Sequence, residues 1–166
     1  MIDRTKLWDP VYNRLSAAGV VIVFVDGALE CNNPTTAQAI IDAYTVQDAH
    51  ADKCAEVAAY AKILRDKVIG TISPGEMASW PIKLAEAAQY TKTGDASVAP
   101  MLSTEALARG ITLDDLVAKV GNNAQQFSMI ESLIAGTDGK HRDAIKLLQT
   151  VQDVIHYDYS QGWPGV

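Results

Sequence analysis

A chain of 166 residues, 48% hydrophobic and 7% aromatic, has the material for one domain, or for a compact domain with a small appendage. That composition excludes intrinsic disorder. Its formal charge of −6 includes no block of Lys or Arg, which excludes the cationic surface that nucleic-acid binding needs.

The opening segment MIDRTKLWDPVYNRL is mixed and charged, without the apolar stretch and small-residue cleavage site of a signal peptide, so a cytoplasmic protein is expected. The longest apolar run, residues 19–25, is far too short to span a bilayer as a helix, and no membrane partner is expected. Residues 7–16 read as a short helix. The β-branched run at 20–25 is followed by Asp26-Gly27, the turn dipeptide of a two-residue hairpin, whose central residues both need positive φ. Residues 28–31 form the return strand, and Asn32-Asn33-Pro34 closes it. An isolated hairpin is marginal in water, so this one must pack on the rest of the chain or on a partner.

From Thr35 or Thr36 the pattern becomes helical. Ala37, Ile40, Ile41 and Tyr44, then Ala51, Cys54, Ala55, Ala58, Ala61, Ile63, Leu64 and Val68, mix spacings of three and four. The segment is one long helix, or two with a break near residues 45–47. Asp48, Asp52, Lys53, Glu56, Lys62 and Asp66 fall on the opposite face. A narrow alanine-rich seam of this kind packs within a bundle or a multistranded coil.

Gly70-Thr71 ends the pattern, and a new helix starts at Ser73 as N-cap, with Pro74 at its first position and Glu76 completing a capping box. Pro81 then removes the hydrogen bond to the Met77 carbonyl, at a cost of ~3 kcal/mol in a regular helix. The expectation is a short turn over 74–78, a second start near Ser79, and a helix over 81–90 with Trp80 buried as a plug at the corner. Gly94-Asp95 marks a loop, and a helix over 101–108 is stopped by Gly110. Thr112 with Asp115 caps the next helix, which carries Leu113, Leu116, Val117, Val120, Phe127, Ile130 and Leu133 and tolerates Gly121. Gly136 is expected to end it. Residues 137–139 start the last helix, with Ala144, Ile145, Leu148, Val151 and Ile155 as its buried set. The tail from Tyr157 is aromatic and non-helical. The fold class is therefore mainly α: a helical bundle with a small N-terminal β-hairpin. It divides into an N-terminal segment (1–34), a helical domain (35–156) and an aromatic tail (157–166).

Chemistry-bearing motifs are sparse. His50, His141 and His156 have no metal-ligand spacing, and His141, within Lys140-His141-Arg142-Asp143, reads as part of a solvated face. Cys31 and Cys54 form neither a metal motif nor a disulfide framework and read as buried or half-buried thiols. The adjacent Asp114 and Asp115 complement a helix dipole. Gly136-Thr137-Asp138-Gly139-Lys140 outwardly resembles a phosphate loop but joins two helices rather than a strand and a helix. No catalytic residue, cofactor or metal is expected, and the chain reads as a non-enzyme.

A series of marks in one order does carry a resemblance. These are Glu76-Met77-Ala78-Ser79-Trp80, Glu86-Ala87-Ala88-Gln89-Tyr90, Pro100-Met101-Leu102 and Ala108-Arg109-Gly110, within residues 60–155. The order resembles a helical domain of bacteriophage tail proteins related to tail-fibre assembly proteins. That resemblance implies a protein-binding role in tail-fibre assembly or attachment, without cofactor or catalytic residues. It also implies tail or tail-fibre proteins, or further copies of the chain, as partners. The place of action would be the host cytoplasm during assembly, and the virion tail if the protein stays. The hairpin is shorter than the β-rich head of a full fibre chaperone, which opens a second reading: a permanent component of the tail, baseplate or collar.

The expected contact surface comprises the hairpin, with Val21, Val23 and Val25, the long helix, and the tail, with Tyr157, Tyr159 and Trp163, rather than a pocket. The strand offers an edge that a partner can extend, and the tail offers residue types favoured as interface anchors. The alternative is that both pack back on the chain's own bundle.

Overall fold

The computed structural model describes Thr5, residues 7–25 and residues 28–165. The Asp26-Gly27 turn lies outside the described residues. The fold is mainly helical with one small antiparallel hairpin, as the sequence leads one to expect. In chain order the elements are α1 (Asp9–Ala17), β1 (Ile22–Val25), β2 (Ala28–Cys31), α2 (Pro34–Ala43), α3 (Val46–Ile69), α4 (Pro74–Thr93), α5 (Pro100–Arg109), α6 (Leu113–Lys146) and α7 (Val151–Ile155), with a 3-10 turn at Ala96–Val98. They group into two compact units, one of Met1–Ala61 with Thr137–Trp163 and the other of Lys62–Gly136 with Pro164–Val166.

In the first unit, Val11 and Leu15 of α1, Ala37 and Ile41 of α2, Ala49 and Val57 of α3, Ile145 of α6 and Val154 of α7 form one buried cluster with Val20 and Tyr44. Of the two readings for residues 35–68, the structure takes the one with a break. Asn33 caps α2 by accepting from the Thr36 amide, and α2 ends at Ala43. Thr45 then opens α3 with its own capping box. Its hydroxyl and amide both donate to Asp48 Oδ2, at 2.6 and 2.9 Å, and the Asp48 amide donates to the Thr45 hydroxyl at 3.2 Å. The hairpin is tied down at its base. Asn32 accepts from the Val21 amide and donates to the Gly19 carbonyl, and the facing pair Ile22 and Cys31 packs on the cluster.

In the second unit, Ala87 of α4, Leu102 and Ala106 of α5 and Leu116 of α6 pack together with Ala99. Glu86 accepts from the amides of Met101 and Leu102, so α5 is capped by a carboxylate from α4. Lys83, only 8% exposed, donates to Glu76 at 2.8 Å and to Glu105 at 2.9 Å.

Three expectations are corrected. The turn and restart expected around Pro81 do not form, since α4 runs unbroken from Pro74 to Thr93 with Pro81 inside it. Contacts on both sides of the proline hold the helix. Lys83 reaches back across it to Glu76, and Trp80 packs edge-on against Phe127 with ring centres 5.5 Å apart. Trp80 is half-buried rather than a buried plug. Gly136 does not end a helix either, because α6 is continuous to Lys146. Each interior glycine costs about 1 kcal/mol against alanine. That cost is smaller than the gain from burying Ile134 before the glycines and His141 and Ile145 after them. The real interruption comes later, where Thr150 accepts from the Asp153 amide and caps α7. Third, His141 is not on a solvated face; it is 5% exposed.

Two outcomes follow from these features. Pro81→Ala restores a helical hydrogen bond at an exposed site and should raise stability by about 1–3 kcal/mol in urea denaturation. The Asp48 carboxyl is lowered from 3.8 to about 2, chiefly by the Thr45 hydroxyl, then by the Thr45 amide and Arg14. A lowered folded-state value means that this stabilisation is full above pH 4 and is lost as the pH falls toward 2. Asp48→Asn should therefore flatten the acid limb of the stability profile across that window.

Candidate functional site

Of the nominated surfaces, the hairpin and the tail lie in the first unit, and the structure treats them differently. In the hairpin, Ile22 faces Cys31, Val23 faces Glu30, Phe24 faces Leu29 and Val25 faces Ala28. Side chains alternate across a strand, so Ile22 turns to the core while Val21, Val23 and Val25 share the other face. These valines are 59%, 46% and 41% exposed, and Glu30 beside Val23 is exposed as well. Solvent-facing positions of a half-buried strand are ordinarily polar. Three consecutive valines there form an apolar strip that the fold itself leaves uncovered.

Tyr157, Tyr159 and Trp163, by contrast, are half-buried against their own unit. Trp163 stacks on His141, with ring centres 5.5 Å apart and planes 28° apart, and lies 5.3 Å from the Tyr60 ring. Its indole N–H donates to the Tyr159 carbonyl at 2.6 Å. Tyr159 meets Tyr60 edge-on at 6.1 Å. His141 Nε2 lies 2.9 Å from the Gln161 carbonyl, which can only accept, so Nε2 carries the proton in the neutral ring. Nδ1 then accepts from the Tyr157 hydroxyl at 2.8 Å. Burial, then Asp158, raises the Tyr157 hydroxyl above its ordinary value, so it remains a proton donor at neutral pH.

A second polar group lies under the same segment. Lys53, 6% exposed, donates to Glu56 at 2.8 Å, with its ammonium 4.9 Å from the centre of the Trp8 ring and 5.7 Å from that of Tyr159. Beside it, Tyr44 donates to Asp52 at 2.7 Å beneath the guanidinium of Arg14. Burial, then the bond to Asp52, raises the Tyr44 hydroxyl far above its ordinary value. Lys53 pairs with Glu56 and Tyr44 with Asp52, and these groups act as structural fastenings.

The sequence reading put His141 on a solvated face and Lys53 on the charged face opposite the seam, whereas both are buried, although each carries a signal. Read through Gly136, the stripe Ile134, His141, Ile145 puts the histidine on the buried face. The series Ala49, Lys53, Val57, Ala61 at spacing four puts the lysine in the middle of the α3 core stripe.

The second unit holds a different feature, an open apolar groove of about 330 Å³. Val68, Ile69, Phe127, Ile130 and Ile134 line it, together with the Arg65–Glu131 ion pair at 2.8 Å. Cys31 and Cys54 are both half-buried free thiols. Among the described residues no cluster of three or more His, Cys, Asp or Glu side chains is placed to hold a metal ion, and no helix is long and apolar enough to cross a membrane. Comparison of the chain with protein-family profiles, with curated proteins and with solved structures finds no match.

Trp163→Ala removes the ring that stacks on His141 and touches Tyr60. Because the ring is half-buried, the loss should be about 2–4 kcal/mol, readable by chemical denaturation. A change below about 0.5 kcal/mol, the scale of a surface substitution, would show that the tail is not fastened there.

Proposed function

We propose that this chain acts by protein–protein binding, as a bacteriophage tail-associated protein that serves tail-fibre assembly or attachment. We further propose that the valine face of its hairpin is the contact surface. One observation carries the surface: Val21, Val23 and Val25 are exposed together on one face of the hairpin, where exposed apolar side chains suit a partner's apolar surface. The setting rests on the ordered marks from Glu76 to Gly110 and their resemblance to tail proteins. Tyr157, Tyr159 and Trp163, occupied within their own unit, take a supporting part by holding the segment against which the fold closes.

The second reading, a permanent component of the tail, baseplate or collar, draws on the small size of the hairpin, with strands of four residues each. Mass spectrometry of purified particles separates the two. A permanent component is present at fixed stoichiometry, whereas an assembly factor is absent or in trace.

Replacing Val21, Val23 and Val25 together by threonine keeps β-propensity while removing the apolar strip. Stability should change by less than about 1 kcal/mol, as for exposed positions. Recovery of tail-fibre protein on the tagged chain, from cells assembling the phage, should fall about tenfold or more. Undiminished recovery would remove the hairpin from the contact surface.

A further inference from the structure

The outer edge of β1 has a property separate from its valine face. Asn32 donates its backbone amide to the Val21 carbonyl, and Val25 faces Ala28. The odd-numbered residues 21, 23 and 25 therefore direct their backbone groups toward β2, and the N–H and C=O of Ile22 and Phe24 point away from it. The sheet has two strands, β2 lies beside α2, and among the described residues nothing pairs with the outer edge of β1. Edge strands are ordinarily guarded by a charge, a proline or a bulge. The sequence Val21-Ile22-Val23-Phe24-Val25 has none of these.

We infer that β1 pairs antiparallel with β1 of a second copy of this chain about a two-fold axis at Val23, giving a four-stranded sheet. The register is self-consistent. With Val23 opposite its own copy as a non-hydrogen-bonded pair, Ile22 of one chain faces Phe24 of the other. The outward N–H and C=O groups of both are then exchanged in full. Val21 falls opposite Val25, so the valines of both copies merge into one apolar strip. Charge permits it: the nearest like charges on that row are the two Glu30 side chains, three strand spacings or about 14 Å apart, beyond the screening length of about 8 Å at physiological salt. Area sets the strength. An edge of four residues covers far less than the ~1,600 Å² of a typical stable interface. The pairing is therefore weak, with a Kd of about 10 μM to 1 mM, and it matters where copies are concentrated. The inference stands whether or not the tail-assembly reading does.

Sedimentation velocity of the whole chain from about 1 μM to about 1 mM tests it. The wild-type chain and Val23→Thr should pass from monomer to dimer. Val23→Glu places two carboxylates face to face on the axis, flanked by both Glu30 side chains, and should weaken association by about tenfold or more. An equimolar mixture of Val23→Glu and Val23→Lys should recover it as a heterodimer, which also shows that both variants are folded. A wild-type chain that stays monomeric throughout overturns the inference. So does a Val23→Glu chain that associates like the wild type, or a mixture that fails to recover.

Discussion

The first unit depends on how two buried polar groups are satisfied. Lys53 and His141 occupy positions on α3 and α6 that the helical period assigns to the core. An unpaired ammonium in the interior costs several kcal/mol, and an unpaired imidazole nitrogen costs about 1–3 kcal/mol. Helices alone do not supply the partners. Lys53 takes Glu56 from its own helix and the faces of Trp8 and Tyr159. His141 takes the Tyr157 hydroxyl and the Gln161 carbonyl. Three of these five partners belong to residues 157–161, so the course of a segment without secondary structure is dictated from beneath. The aromatic side chains then cover what the helices leave open, and Gly162, at φ 85°, turns the chain so that Trp163 lies on the imidazole.

The second unit solves a similar problem with charge alone. Lys83 is nearly buried, and its two carboxylates come from different helices, Glu76 from α4 and Glu105 from α5. Arg109 holds Glu105 from the other side at 2.8 Å. Removing one carboxylate would leave an under-compensated cation, so the network specifies which helix faces meet more than it adds net stability. The same lysine spans Pro81, which shows why a local penalty did not become a break.

Much of this architecture was legible locally. The hairpin, the caps at Ser73 and Thr112, the Gly110 stop and the mainly helical class all follow from short-range rules that the tertiary structure leaves in force, although the Glu76 carboxylate pairs with Lys83 rather than completing a box at Ser73. The misplaced helix boundaries share one reason: a local breaker was given more weight than burial on either side of it. Pro81 and Gly136 each cost a fixed, small amount, while the side chains flanking them gain by packing on residues distant in sequence. Taking Gly136 as a stop also concealed His141, since only an unbroken α6 carries the stripe from Ile134 to Ile145. For the candidate surface, alternation marked Val21, Val23 and Val25 as one face. The tail's aromatic residues could not be assigned, because composition alone does not distinguish an anchor for another protein from an anchor for one's own.

The division of the chain between the two units has a consequence for synthesis. Residues 62–136 are contiguous, so nearly all of the second unit can close as soon as it leaves the ribosome. The first unit joins residues up to Ala61 with Thr137–Trp163, and its cluster needs Ile145 and Val154 as well as Val11 and Ile41. Its loop must wait for residues 137–163. The hairpin precedes residues 137–163 by about a hundred positions, so it emerges well before the core that supports it is complete. Throughout that interval the nascent chain carries an uncharged, valine-rich strand with an open edge, on a polysome where neighbouring copies are at the same stage.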